Sequence, residues 1–427
     1  MSTVFLVQSE PGFWVRLMAP QVHAAGHRAV LVTTPLTDRQ RQAAAELVDE
    51  IVEMDDVNDP DVLAATVREL AGEARIITCT DAAMVAASRA AELLGVARTP
   101  ARVYAGVRNK FAARRTLDAA GLPGPRFALL ERAEDAPAVA EQVGLPAVIK
   151  PVNGSGSNLV RVVRTVDELA AAYRLLAERL PGSMGGLYDR PIGGIDPTRV
   201  FLVETRLEGP EYCLDVVIRD GVVEPLKLVS KPFMDETFFE HVFVCPPFDL
   251  PAGREELVRE RVVASVLALG LDNTVAHVEL IDDVTTGPAI IEVNVGRPGG
   301  GLVSALNELT SGINLFAECL AATLGDPSPP RTPPKITIPL AYLIIFGTGK
   351  GRLVKIHGLD DVADLPEVLE VVPTVEPGQI LSDDHEVLAV NLLVAGFFDA
   401  DELAALYDEA AKLIRLETEP VGGTDPS

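Results

Sequence analysis

Strand-like and helix-like patterns alternate through the first hundred residues, which restricts the start of the chain to a parallel sheet with helices on its faces. β-Branched runs at residues 4–7, 29–33, 51–54 and 75–79 read as strands. Helical stretches are expected at about 11–25, 59–71 and 81–94; the second starts on acidic residues and the third ends at Gly95. No GxGxxG follows the opening strand, so a dinucleotide site is not expected.

From Asn109 the pattern turns to mixed α+β. A helix at 110–120 is closed by Gly121-Leu122-Pro123, and strands are expected at 147–150, 159–163, 200–204 and 212–219. A helix begins near Val166, and residues 181–198, rich in Gly and Pro, form a loop. Two apolar runs, 275–281 and 289–295, close this part. Residues 326–334 hold five prolines and read as a linker. Beyond it, strands at 336–346 and 351–356 and a closing helix at 401–416 make another α+β unit, with 417–427 as a frayed polar tail. A chain of 427 residues exceeds one core. The expected domains are 1–100 (α/β), 101–325 (a small lid subdomain at about 125–205, then a catalytic sheet) and 335–420 (α+β).

The chemistry concentrates in the two apolar runs. Read as a hairpin, they place Glu279 opposite Glu292, and Glu292 and Asn294 share a sheet face because side chains alternate. Like charges directly opposite are destabilising. A divalent cation removes that cost, and two carboxylates with an amide oxygen suit magnesium. Ile290, Ile291 and Val295 give the strand an interior character; a solvated acidic face is the alternative.

Lys150 ends a buried-looking strand and is followed by Asn153-Gly154-Ser155-Gly156-Ser157. Glycines let backbone N–H groups approach phosphates, and serines add hydroxyl donors. Without the lysine an ordinary hairpin turn would be the better reading, and GxxxxGK[ST] is absent. The chain has eight lysines among 37 basic residues, so Lys110 and Lys150 stand out as lysines kept in an arginine-rich sequence. In the stretch from Glu204 to Tyr212, a strand end could read an adenine edge and Glu211 could accept from ribose hydroxyls; a plain turn with a solvated Glu fits that stretch as well.

Bulk properties exclude several classes. A formal net charge of -25 repels phosphate backbones and excludes nucleic acid as an expected partner. No apolar run reaches the ~20 residues of a membrane helix, and the start lacks signal-peptide features, so a cytoplasmic protein without a membrane partner is expected. Cys79, Cys213, Cys245 and Cys319 are scattered without a CxxC pair and read as small core residues, not zinc ligands.

Taken in order, Asn109-Lys110, VIKP with its Gly/Ser loop, VETRLEGPEY, HVEL and EVNVGRPGGG resemble the ATP-grasp superfamily over about residues 1–420. Looser matches point to the L-amino acid ligases within it. These are Gly347-Thr348-Gly349-Lys350-Gly351, residues 356–359, Val371, Glu376-Pro377-Gly378, Ser230-Lys231 and Phe238-Phe239-Glu240. The resemblance implies an ATP-grasp fold with a Rossmann-like N-terminal domain and a C-terminal α+β domain. It implies ATP and Mg2+ (two ions, with Mn2+ as a substitute), with Lys110 and Lys150 on the phosphates and Ser155, Gly156 and Ser157 closing over them. Glu204 and Leu207 would flank the adenine, Glu211 would hold the ribose, and Glu279, Glu292 and Asn294 would hold the metal. Arg297 would stabilise the acyl phosphate or the transition state, with Lys150 as the second catalytic residue; a salt-bridging arginine on a loop is the competing reading of Arg297. Relatives place this arginine two residues after the Asn; here it stands three after, and one extra residue flips a strand side chain unless Gly296 absorbs it as a bulge. Gly299-Gly300-Gly301 either presents N–H groups to an anion or is a flexible turn. His277 either reaches the substrate or is a satisfied interior histidine.

The expected activity is ATP-dependent joining of a carboxylate to an amine through an acyl phosphate, with amino acids or similar acids as substrates and a dipeptide as a product. The loops at 153–157 and 181–198 would exclude water. A homodimer is common in similar enzymes. The alternatives are activation of bicarbonate or formate, as in carboxylases and purine synthesis, and a non-catalytic nucleotide-binding protein.

Overall fold

The computed structural model describes residues 2–9, 13–183, 187–188, 190–233, 240–248, 250–334, 338–381 and 387–421. Its contacts divide the chain into two units. The first comprises Met1–Leu226, Gly253–Gly299 and Ile313–Thr332; the second comprises Lys227–Ala252, Gly300–Gly312 and Pro333–Ser427.

The first unit opens with the expected parallel sheet. Strands Glu50–Glu53, Arg28–Thr33, Thr3–Gln8 and Ala74–Ile77 lie side by side in that order, all parallel. Alternate residues of the central strands enter two separate cores. Val4, Leu6, Ala29 and Leu31 pack with Met18, Val22 and Phe316 on one face. Phe5, Val7, Val30 and Val32 pack with Leu63, Val67 and Ala87 on the other. Both faces are therefore buried, which is why these strands are apolar throughout. The helix Pro60–Leu70 is capped by Asp59, whose carboxylate accepts from Asp61 and Val62 N–H. Several helices had no expectation, among them Asp38–Ala45, held by a Thr37–Gln40 capping box, and Ala101–Arg108 here, and Ala136–Val143, Arg254–Ala268 and Leu315–Leu324 further along. The first lacks an apolar stripe, so periodicity does not reveal it. The helix expected from Asp81 begins instead at Met84, leaving Asp81 in a turn.

A second, antiparallel sheet orders Phe127–Leu130, Phe201–Thr205, Ala147–Pro151 and Arg161–Val163, covered by Ala136–Val143 and Val166–Arg179. Leu159, expected in the last strand, has φ +56° and lies in the loop before it. The third sheet contains the hairpin Thr274–Asp283/Gly287–Val295, beside Glu211–Arg219 and its partner Val222–Pro225. Glu279 faces Glu292 in register, and His277 faces Asn294. Leu280 faces Ile290, so a bulge between them absorbs Ile291.

In the second unit, antiparallel strands run Val229–Ser230, Val242–Cys245, Leu340–Gly347, Val387–Ala395 and Val368–Pro373. A smaller sheet joins Ile380–Leu381, Gly351–His357 and Arg415–Glu419. The strand expected at 336–346 starts at Leu340; residues 335–337 lie outside the described residues. The closing helix is Ala400–Leu413, not 401–416, because Ile414 turns the backbone extended. Residues 417–419 are correspondingly not frayed. Arg415–Glu419 alternates exposed and half-buried side chains, a strand pattern masked by its charges. Among the described residues no helix is long and apolar enough to cross a membrane.

Candidate active site

Lys110 and Glu292 connect the first helix of the α+β region to the hairpin. Asn109 caps the helix Lys110–Ala119 through Ala112 N–H, and Lys110 N–H donates to Val152 O at 2.7 Å. So anchored, the lysine sends Nζ to 2.5 Å from Glu292 Oε1. Burial pulls the pKa of this ammonium down, and Glu292 only partly restores it. Across the hairpin, Asn294 Nδ2 donates to Glu279 Oε1 at 3.1 Å. Asn294 Oδ1 is buried with no hydrogen-bond donor. Two carboxylates and an unsatisfied amide oxygen on one sheet face fit a hard divalent cation. The carboxylate of Glu211 comes within 4.8 Å of that of Glu279, so the residue expected at the ribose sits beside one of the two facing carboxylates.

Lys150 and Glu204 lie on neighbouring strands and pair at 2.6 Å. The other Glu204 oxygen accepts from Arg114 Nε, whose Nη1 and Nη2 donate to Ile290 O (2.8 Å) and Ile291 O (2.5 Å). Arg114 thus ties the second sheet to the bulged part of the hairpin. Burial alone would raise the Glu204 pKa; Arg114 and Lys150 outweigh it and hold the carboxyl at about 2. A carboxyl depressed below its unfolded value of 4.5 contributes stability that is whole above 4.5 and is lost as pH falls through about 2. We expect circular dichroism at falling pH to show a steeper acid loss for the wild type than for Glu204→Gln. Equal acid profiles would contradict the pairing. The Glu204 side chain is consumed by this pair, and Leu207 is half-buried beyond the strand end.

The Gly/Ser loop carries two successive left-handed residues, Gly156 (φ +59°) and Ser157 (φ +54°). Asn153 Nδ2 donates to Leu187 O at 2.8 Å while its buried Oδ1 has no donor. Ser155 Oγ donates to Asp81 Oδ2 at 2.5 Å. That carboxylate also takes the Arg297 guanidinium in a two-pronged bridge, Nε–Oδ1 3.0 Å and Nη2–Oδ2 2.9 Å. Gly296 absorbs the extra residue before Arg297 with φ +80°. A Cβ there would meet Met84 Sδ at 2.8 Å and the Tyr104 ring at 3.0 Å. Gly296→Ala is therefore expected to lower turnover by displacing Arg297, with about 1–3 kcal/mol of strain. Steady-state kinetics beside a thermal melt check this, and wild-type turnover would contradict it.

Asp215, in the strand Glu211–Arg219 beside the hairpin, is fully buried at 0% exposure. It accepts from Gly299 N–H at 2.8 Å and stands 3.1 Å from His277 Nδ1. Burial disfavours a charged imidazole, but Asp215, with Cys213, more than offsets it and raises the His277 pKa well above its usual value. His277 thus has the interior partner that one sequence reading required. Gly299 N–H is committed to Asp215 rather than to a ligand. All four cysteines are buried and free, as expected.

Within the second unit, Lys231 pairs with Glu240 at 2.8 Å and lies over the Phe243 ring, which stacks on Tyr342. Phe238 and Phe239 lie outside the described residues. Sequence reasoning missed Asp81, Arg108, Arg114 and Asp215. No local motif marks them; the one available signal was the run of arginines around Asn109-Lys110.

Three family models match: an ATP-grasp N-terminal domain over residues 21–96, an ATP-grasp domain over 143–305, and an L-amino acid ligase C-terminal domain over 344–419. An uncharacterized protein, y4rH of Sinorhizobium fredii, is 31% identical over 63% of this chain, which spans about half (52%) of that relative's length. The D-alanine--D-alanine ligase of Neisseria gonorrhoeae is 30% identical, covering 50% of this chain and 67% of that protein. That of Azoarcus sp. is 29% identical, covering 55% and 73%. The crystal structure of an L-amino acid ligase from Bacillus licheniformis superposes with a TM-score of 0.79 at 23% identity, covering 98% of this chain and 99% of that one. Phosphoribosylglycinamide synthetase from Anaerococcus prevotii gives 0.68 at 16% identity, covering 98% and 100%. The chain belongs to the ATP-grasp family.

Proposed function

We propose that this protein is an ATP-dependent carboxylate–amine ligase that joins amino acids, or acids resembling them, through an acyl phosphate. The observation that carries the reading is the hairpin register: Glu279 opposite Glu292, with the unsatisfied Asn294 Oδ1 on the same face and the Lys110 ammonium against Glu292. Magnesium held by Glu279, Glu292 and Asn294 would supply charge neutralisation for the phosphates. Lys110 and Lys150 exchange their carboxylate partners for phosphate oxygens as the nucleotide enters. The loop at 153–157 offers backbone N–H groups and hydroxyls to the same oxygens. The substrate carboxylate attacks the γ-phosphorus in line, ADP departs, and the acid carries the phosphoryl group. Attack of the amine on the acyl carbon expels phosphate, and Arg297 stands to meet the developing oxyanion. Holding Arg297 and the loop together excludes water from an intermediate that water would destroy.

The resemblance of the C-terminal domain supports amino acids as the substrate class. The test is phosphate release from ATP and Mg2+ across amino acids, offered singly and in pairs. Release that requires particular pairs supports the reading and names the substrates. Release with bicarbonate or formate alone, or tight ATP binding without turnover, would overturn it.

A further inference from the structure

Asp81 has no part in the chemistry just described, yet three separate elements converge on its carboxylate. Besides the Arg297 fork and the Ser155 hydroxyl, Arg108 Nη1 stands 3.2 Å from Oδ1 at the end of helix Ala101–Arg108. A carboxylate offers about four acceptor sites, and these donors fill them. Arg108 also donates Nη2 to Asn153 O at 2.8 Å, so one guanidinium grips both Asp81 and the start of the Gly/Ser loop.

The arrangement has two consequences. A two-pronged bridge fixes the plane of a guanidinium as well as its position. It uses Nε and one N–H of Nη2, while Nη1 donates to Pro298 O at 3.2 Å, which leaves one N–H on each terminal nitrogen for an acceptor. Two buried guanidiniums also share this one carboxylate, and the further negative charge acting on Arg297 comes from Glu279 and Glu292 of the hairpin. Asp81 therefore holds the arginine without by itself neutralising both guanidiniums. Its carboxyl stays ionised: burial would protonate it, but Arg108 and Arg297 outweigh burial and depress its pKa strongly.

We propose that Asp81 is a positioning residue, which orients Arg297 for the reaction and, through Ser155 and Arg108, ties that orientation to the seating of the Gly/Ser loop. The inference rests on the ligase reading above. It gives the turn before Met84 a function that belongs to neither the nucleotide nor the metal.

The experiment compares kcat and KM for ATP in wild type, Asp81→Asn, Asp81→Glu, Arg297→Ala and the Asp81→Asn/Arg297→Ala double variant. Hydrogen exchange of residues 153–163 is followed in the same nucleotide-free proteins. Asp81→Asn turns an acceptor into an NH2 facing donors and is expected to lower kcat roughly 10- to 100-fold. KM should move far less, and Asp81→Glu should recover part of the loss. In the Arg297→Ala background, Asp81→Asn should cost nothing further, because a residue acting through Arg297 has nothing left to orient. Exchange at 153–163 should quicken while the strand Thr3–Gln8 stays protected. An equal kcat loss in both backgrounds would overturn the proposal, as would unchanged loop exchange in a protein whose sheet is intact. If Asp81→Asn does not fold, Asp81→Glu carries both readings with the same outcomes. A wild type without ATP turnover would overturn the ligase reading instead, and the exchange comparison would still decide whether Asp81 holds the loop.

Discussion

Glu292→Ala is expected to reduce acceptor-dependent phosphate release by about 1000-fold or more, the scale of losing several kcal/mol of charge stabilisation at a phosphoryl-transfer site. Two effects add at this position. The proposed cation site would lose one of two facing carboxylates, with Glu279 and Asn294 remaining. Lys110 loses its counterion while Arg108 and Lys150 remain as like-charged neighbours, so its ammonium is held less firmly for the phosphates. Glu292→Gln separates the two. It keeps the shape and an oxygen ligand, so raised Mg2+ should restore part of its activity and none of that of the alanine variant. Phosphate release at half the wild-type rate in Glu292→Ala would remove the hairpin from the reaction.

Arg114→Ala carries the largest expected loss of stability. Breaking a buried ion pair by removing one partner costs about 3–5 kcal/mol. Here Ile290 O and Ile291 O lose their donors as well. At the lower figure, with about 2.1 cal/mol/K of unfolding entropy per residue in a chain of this size, the thermal midpoint should fall by roughly 3–5 °C. Lys150 still faces Glu204, so the second sheet should survive while the hairpin loosens. Hydrogen exchange should therefore rise in Gly287–Val295 more than in Ala147–Pro151. A midpoint within about 1 °C of wild type would mean that the arginine bears no load.

The contrast between these two residues shows what a sequence discloses about such a site. Glu292 was legible because its partner lies in the same hairpin. Periodicity gives the two strands, a short polar turn joins them, and alternation then places Glu279 opposite. The true turn is one residue shorter than the pairing of Glu279 with Glu292 requires, and the bulge at Ile291 makes up the difference. Arg114 reaches Glu204 and the Ile290 and Ile291 carbonyls across long stretches of chain, and Asp81 reaches Arg297 across 216 residues. Nothing local fixes either partnership. The parallel sheet was legible for the opposite reason, because each strand declares itself by β-branched residues and each helix by its own period. Lysine usage was also informative: Lys110, Lys150 and Lys231 are buried against carboxylates, as a chain that otherwise prefers arginine suggests. The strand Arg415–Glu419 was missed because its alternation is carried by charged residues.

The second unit is assembled from three separated pieces of chain, and this bears on how the protein is made. Val242–Cys245, buried at every position, pairs with Leu340–Gly347, and Val242 meets Leu343 about a hundred residues later. On a ribosome adding about 5–20 residues per second, the earlier strand waits roughly 5–20 s for its partner. The first unit has all its pieces once Thr332 has been made, but the nascent chain still carries an unpaired apolar edge. Yield in a cell should therefore depend on translation speed and on chaperones that shield that strand, even where the finished protein is stable.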